Sequence, residues 1–163
     1  MPKAISFAAV AALSLSGCGF TPLYGAPGLA TDLSAIQVTV PQGRSGFLLR
    51  QSLNDAFAHN GFVPSVYRLN VTYTETKIPR GVRADNVANR YELVLQVSYT
   101  LTTAGGASAR SGRVTSAVTY DSANQPYASI AAEQDGQERA AAKAARQIQI
   151  ELASWLASKR PPA

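Results

Sequence analysis

The chain is poor in the residues that most often carry catalysis or hold metals. Its 163 residues include one cysteine and one histidine, so they form no intramolecular disulfide and no cysteine/histidine cluster with metal-site spacing. The sequence has no phosphate-binding loop, dinucleotide fingerprint or nucleophile elbow. Its 10 acidic residues are few and scattered. These absences argue against an enzyme, a metal site and a bound cofactor.

Long apolar runs are also absent, and the one notable run lies at the N-terminus. It follows Lys3 and closes with Leu15–Cys18, which reads Leu-Ser-Gly-Cys. The run is shorter than the roughly 20 apolar residues that a membrane-spanning helix needs. A basic start, an apolar middle and small residues before a cysteine are typical of a bacterial lipoprotein signal peptide. The alternative is an apolar N-terminal helix with a buried thiol.

We therefore predict that residues 1–17 are removed and that Cys18 is acylated, with palmitate among the expected fatty acids. Cleavage takes 17 residues from 163 and leaves 146, a length typical of one domain. The net charge of +5 suits an anionic partner such as a phosphate-bearing lipid, an anionic polysaccharide or an acidic protein face. Nucleic acid is not an expected partner of a secreted lipoprotein.

Hydrophobic periodicity divides the mature chain into a tether, one domain and a tail. Residues 18–33, with their glycines and prolines, predict a lipidated N-terminal tether. Residues 34–159 predict a single α+β domain, and 160–163 a short tail. The predicted order is β-α-β-β-β-α, with two helices packed on one face of a four-stranded, mostly antiparallel sheet. Alternating or helical spacing places these elements at 36–40, 46–60, 67–76, 91–101, 114–120 and about 130–159.

A cationic segment separates the second and third predicted strands. Residues 77–90 are too long for a tight hairpin and contain four cations, Lys77, Arg80, Arg83 and Arg90, against one acid. Loops of this length are often functional, and guanidinium groups between apolar side chains suit an amphipathic anion. The alternative is a solubilising hairpin loop whose charges protect a sheet edge.

The mature N-terminus resembles a known family. Gly17–Tyr24, read Gly-Cys-Gly-Phe-Thr-Pro-Leu-Tyr, is similar to the opening of mature LptE, the lipopolysaccharide-assembly lipoprotein of Gram-negative outer membranes. Arg90–Leu93 and the order of elements are also similar. Bacterial lipoproteins that stay on the inner membrane tend to carry aspartate directly after the acylated cysteine. This chain has Gly19 there, which by that likeness favours sorting to the outer membrane.

The resemblance implies a function that the composition does not show. It implies an outer-membrane lipoprotein on the periplasmic side that plugs the LptD β-barrel, assists its assembly and lets it insert lipopolysaccharide in the outer leaflet. It implies neither catalysis nor a cofactor. Binding of lipopolysaccharide is attributed to the family, which matches the cationic segment in sign. Only Cys18 carries over by residue, whereas Lys77, Arg80, Arg83 and Arg90 are candidates from charge and position.

Two hypotheses that assign the chain to other functional classes remain open from the sequence. A stand-alone envelope lipid-binding or ABC-transport auxiliary lipoprotein would need an apolar pocket of its own. A cell-wall hydrolase or inhibitor would need placed carboxylates or a sugar-binding motif, and the sequence has neither.

Overall fold

The computed structural model describes residues 28–59, 61–82, 88–122 and 125–159. The predicted signal peptide and Cys18 lie outside these residues. The described chain contains three helices and four strands: α1 (Leu29–Ser34), β1 (Ile36–Thr39), α2 (Arg44–Ala56), β2 (Tyr67–Val82), β3 (Ala88–Thr103), β4 (Ser108–Asp121) and α3 (Pro126–Ser158). The predicted α+β class and the predicted order of the four strands and two main helices are confirmed.

The four strands form one mixed sheet in the order β1-β2-β3-β4. The short β1 runs parallel to β2 over four residue pairs, starting at Ile36 opposite Tyr67. The β2–β3 and β3–β4 pairs are antiparallel and much longer. The sheet is therefore mostly antiparallel, as predicted, with one parallel pair that the β1–α2–β2 crossover requires.

Alternation along the strands gives the sheet two different faces. One face, which we call the helix face, carries apolar side chains of β2, β3 and β4 into the core beneath α2 and α3. The other, which we call the open face, carries the alternate residues, centred on Thr72, Thr74, Gln96, Ser98 and Arg113. The buried members of the helix face are Leu69, Val71, Leu93, Leu95, Val97, Tyr99, Leu101, Val114, Ser116 and Tyr120.

Alanines let the long helix α3 lie close to the sheet. Four of them, Ala140, Ala141, Ala144 and Ala145, are at most 1% exposed and precede the larger buried side chains of α3. The helix begins at Pro126, a favoured residue in the first turn, and continues through Gly136. A Cβ at residue 136 would lie 3.1 Å from the Tyr120 ring, so glycine permits this close contact.

The structure also refines the predicted tether. Residues 29–33, assigned to the tether from sequence, belong to α1, and both Leu29 and Leu33 are buried in the core. The remainder of the predicted tether and the tail 160–163 lie outside the described residues, so these domain boundaries stay predictions.

The two long helices are parallel and start at different heights above the sheet. Arg44 at the start of α2 contacts Glu138 of α3, and Gln149 of α3 donates to the Ala56 carbonyl at the end of α2. Because α2 begins beside Glu75, the strands beyond that point are covered only by the first turns of α3. We call these strand segments, residues 76–82 and 88–94, the hairpin end.

Candidate interaction site at the hairpin end

The predicted loop 77–90 is mostly strand. β2 continues to Val82 and β3 begins at Ala88, so Lys77, Arg80 and Arg90 are strand residues, while Arg83 lies outside the described residues. The loop prediction was wrong because it relied on Pro79 and Gly81 as breakers. Proline is tolerated in a strand when its missing N–H would face a free edge, and the register of β2 against β3 shifts at Gly81.

Each described cation of the segment has its own carboxylate partner. The Lys77 ammonium lies 2.6 Å from the Glu133 carboxylate of α3. Arg80 donates through Nε to Glu92 at 2.6 Å, and Arg90 donates through Nε to Asp121 at 2.7 Å. The six groups therefore cancel in charge and form three separate ion pairs instead of one cationic cluster.

These ion pairs shift the pKa values of three of the groups. The hydrogen bond to Glu133 raises the pKa of Lys77 above its ordinary value. The hydrogen bond between Arg90 and Asp121 raises the pKa of the guanidinium and lowers the pKa of the carboxyl group. Lys77, Arg90 and Asp121 are thus charged at neutral pH. Exposed pairs of this kind contribute only about 0–1 kcal/mol each, so an anionic ligand can compete for the cations.

Aromatic rings hold Lys77 on the helix face. Its ammonium lies 4.7 Å from the ring centroid of Tyr91 and 5.8 Å from that of Tyr120. These two rings stack with centroids 5.7 Å apart, and burial raises the pKa of Tyr120. Lys77 thereby ties the start of α3 to the sheet, whereas the pairs of Arg80 and Arg90 lie on the open face. Lys77 therefore lies on the opposite face of the sheet from Arg80 and Arg90, and each of these three cations pairs with a different carboxylate.

Sequence reasoning missed the partners of these cations and one further arginine. No local sequence pattern shows that Glu133 of α3 and Asp121 at the end of β4 are the partners of Lys77 and Arg90. Pairing Asp121 with Arg90 needs the β3–β4 register, which no local pattern gives. Arg113, on the edge strand β4 of the open face, donates through Nε to the Ser98 hydroxyl of β3 at 3.2 Å.

The described residues offer no metal-ligand cluster, and two depressions on their surface are lined largely by polar side chains. They contain no group of three or more metal-ligating side chains. A depression of about 200 Å³ on the open face is lined by polar side chains, among them Thr72, Gln96 and Arg113. A broader groove of about 530 Å³ lies between α2 and α3. None of the described helices is long and apolar enough to cross a bilayer.

Comparison with known proteins identifies the family. The model of the family "LptE: Lipopolysaccharide-assembly" matches residues 33–152, which include every strand and most of α3. The chain belongs to the LptE family. Among curated proteins, none is significantly similar to it.

Solved structures of bacterial lipoproteins share the fold. A lipoprotein from Caulobacter crescentus CB15 is 53% identical, with a TM-score of 0.74, over 83% of this chain and 99% of that one. Rare lipoprotein B from Shewanella oneidensis is 13% identical, with a TM-score of 0.56, over 76% and 95% of the two chains. A minor lipoprotein from Acinetobacter baumannii is 16% identical, with a TM-score of 0.51, over 74% and 90%. The last two show similarity of fold alone.

Proposed function

We propose that this LptE-family chain is an outer-membrane lipoprotein, acylated at Cys18, that plugs an LptD-type β-barrel from the periplasmic side and assists its assembly. The observation that carries the proposal is the family match over residues 33–152. In this role the protein binds and positions its partner and carries out no catalysis. It needs neither a cofactor nor a metal.

The surface of the domain supports a plug more than a lipid carrier. The open face is polar across three strands, as the lumen of a wide barrel is polar. A stand-alone envelope lipid-binding or ABC-transport auxiliary protein needs an enclosed apolar pocket for the acyl chains. In the described residues the core is filled by its own side chains, and the open-face depression is polar.

Lipopolysaccharide contact belongs to the same proposal, with Lys77, Arg80, Arg83 and Arg90 as candidate residues. Phosphate groups suit guanidinium and ammonium donors. The structure adds a condition, because the ligand must displace Glu133, Glu92 and Asp121 from three of these cations. The expected contact is therefore weaker than that of a cluster of unpaired cations.

Co-purification in mild detergent tests the proposed function. The full-length tagged protein is expressed in its native envelope, and mass spectrometry identifies what elutes with it. We expect a large β-barrel in a one-to-one ratio. The protein eluting alone, or with an inner-membrane transporter, would contradict the plug and favour the lipid-binding alternative.

One single variant and two double variants refine the same experiment. Cys18→Ala is expected to abolish the mass added by the acyl chains, and an unchanged mass would refute lipidation at that residue. Arg80→Ala/Arg83→Ala is expected to lower the amount of lipopolysaccharide that co-elutes. Arg50→Ala/Arg146→Ala is the matched control, because it removes two exposed cations from α2 and α3, which together we call the helix layer. Equal lipopolysaccharide in both double variants would return the hairpin end to a solubilising role.

A further inference from the structure

The open face is an extended polar surface that no described element covers. It is three strands wide, and its central five rows extend roughly 27 Å along the strands. Such a face on an antiparallel sheet is normally solvated or in contact with a polar partner. From the far end toward the hairpin end, the rows are Asn70–Thr100–Ser111, Thr72–Ser98–Arg113, Thr74–Gln96–Thr115, Thr76–Val94–Ala117 and Ile78–Glu92–Thr119.

The acidic and basic side chains of the open face differ in whether they have an ion-pair partner. Its two acids, Glu92 and Asp121, are each paired with an arginine of the hairpin end. Arg68 and Arg113 are exposed and, within the described ranges, have no carboxylate within ion-pair distance. Among the described residues, the open face therefore has two arginines that are not in an ion pair and no carboxylate that is free of one.

Arg113 lies on the edge strand β4, in the second of these five rows. Its guanidinium is oriented by the hydrogen bond to Ser98 and borders the depression of about 200 Å³. The other walls of that depression carry the hydroxyls of Thr72 and Thr74 and the amide of Gln96. A guanidinium framed by hydroxyl and amide groups is suited to receive a carboxylate that also accepts neutral hydrogen bonds.

We propose that the open face docks against a protein wall lined by carboxylate and hydroxyl groups, with a carboxylate of that wall seated at Arg113. The inference rests on the proposed function, in which the wall is the inner surface of the barrel. It adds which side of the domain meets that wall and which residue forms its main charged contact.

Charge and polarity distinguish this partner from two other occupants. An acyl layer needs an apolar surface, but the apolar side chains in the five rows are confined to Ile78, Val94 and Ala117 near the hairpin end. A second copy would oppose arginines to arginines, because the face has no free carboxylate to offer. Like charges placed opposite one another across an interface cost several kcal/mol.

Site-specific photo-crosslinking in the full-length, membrane-anchored protein tests the proposal. A photoreactive residue is placed at Thr74, which lines the same depression as Arg113, or at Thr115, the next open-face residue of β4. Arg50 and Arg146 on the helix layer are the matched exposed controls. We expect the open-face positions to crosslink to the barrel and the helix-layer positions to give little product. Mass spectrometry identifies each crosslinked partner.

Charge reversal gives the second readout. Arg113→Glu is expected to lower the amount of barrel captured by at least about 30-fold, the lower end for breaking a charge pair removed from water. Arg146→Glu makes the same charge change on the helix layer and is expected to alter capture by no more than about twofold. Arg113→Lys keeps the charge and should restore part of the capture.

The outcomes separate this inference from the function on which it rests. If the wild-type protein captures no barrel, the proposed function fails and this inference fails with it. If the barrel is captured but crosslinks only to the helix layer, or if the open face crosslinks to a second copy, the docking surface is wrong and the function stands. Should Arg113→Glu fail to fold by circular dichroism, the crosslinks at Thr74 and Thr115 decide alone.

Discussion

The two faces of the same three strands differ in nearly every property. Leu95 is 1% exposed in the core, whereas its neighbour Gln96 points to the open face and is exposed. Successive side chains of a strand alternate between faces, so one stretch of β3 supplies the packing that holds the fold and the polar surface that remains available. The comparison teaches that alternate residues of the same strands have different tasks. One set packs in the core and stabilises the fold, and the other set forms the polar surface.

The largest effect is expected from the helix face. Leu95→Ala removes a buried side chain beneath α3 and leaves a cavity, which should lower the free energy of unfolding by about 2–5 kcal/mol. Urea unfolding of the purified mature domain measures the change. A loss below about 1 kcal/mol would show that the core collapses readily around the site and that the two faces differ less than their burial indicates.

An intermediate effect on the free energy of unfolding is expected at Tyr99, a buried helix-face residue whose hydroxyl contacts a carboxylate. Its hydroxyl donates to Glu151 at 2.6 Å, and burial raises the pKa of the phenol to about 12 from its ordinary 10.0. The folded state therefore favours the neutral phenol. Its contribution to stability is complete below pH 10 and is lost as the pH rises toward 12, by at most about 3 kcal/mol.

Unfolding at a series of pH values between 9 and 12 checks the sign. The free energy of unfolding should fall more steeply for the wild-type protein than for Tyr99→Phe, which has no phenol at residue 99. Parallel curves for the two proteins would mean that Tyr99 titrates normally in the folded state.

The smallest effect is expected on the open face. Gln96→Ala removes an exposed amide next to Leu95 and should change the free energy of unfolding by no more than about 0.5 kcal/mol. The same denaturation assay applies, with Leu95→Ala as its partner. A loss comparable to that of Leu95→Ala would remove the distinction between the two faces.

Local pattern was sufficient for the elements that alternate cleanly. The apolar positions of β3 from Tyr91 to Leu101 predicted a strand and its inward face, because burial of one face follows from period-2 alternation. The helical spacing of α3 from Ala141 to Leu156 was equally informative. Its start at Pro126 was placed late because the weak helix former Gly136 masked the first turns, whose fit depends on Tyr120 across the sheet.

The candidate site was less predictable because its properties are long-range. Whether Lys77 is free depends on Glu133, 56 residues away, and whether Arg90 is free depends on the β3–β4 register. Arg113 looks like any other solvated strand arginine until the sheet brings Ser98 beside it. Charge composition predicted the sign of the surface, but only the pairing of strands showed which charges are neutralised and which remain.

The length of α3 sets a scale for the whole molecule. Its 33 residues extend about 50 Å, and the 16 residues of β2 extend about as far. The described chain starts at Gly28, one short helix before β1, at the end of the sheet opposite the hairpin. A bilayer with its headgroups is about 40–45 Å thick. The described chain thus enters the domain at one tip of a rod that is longer than a bilayer is thick, and the hairpin end forms the other tip.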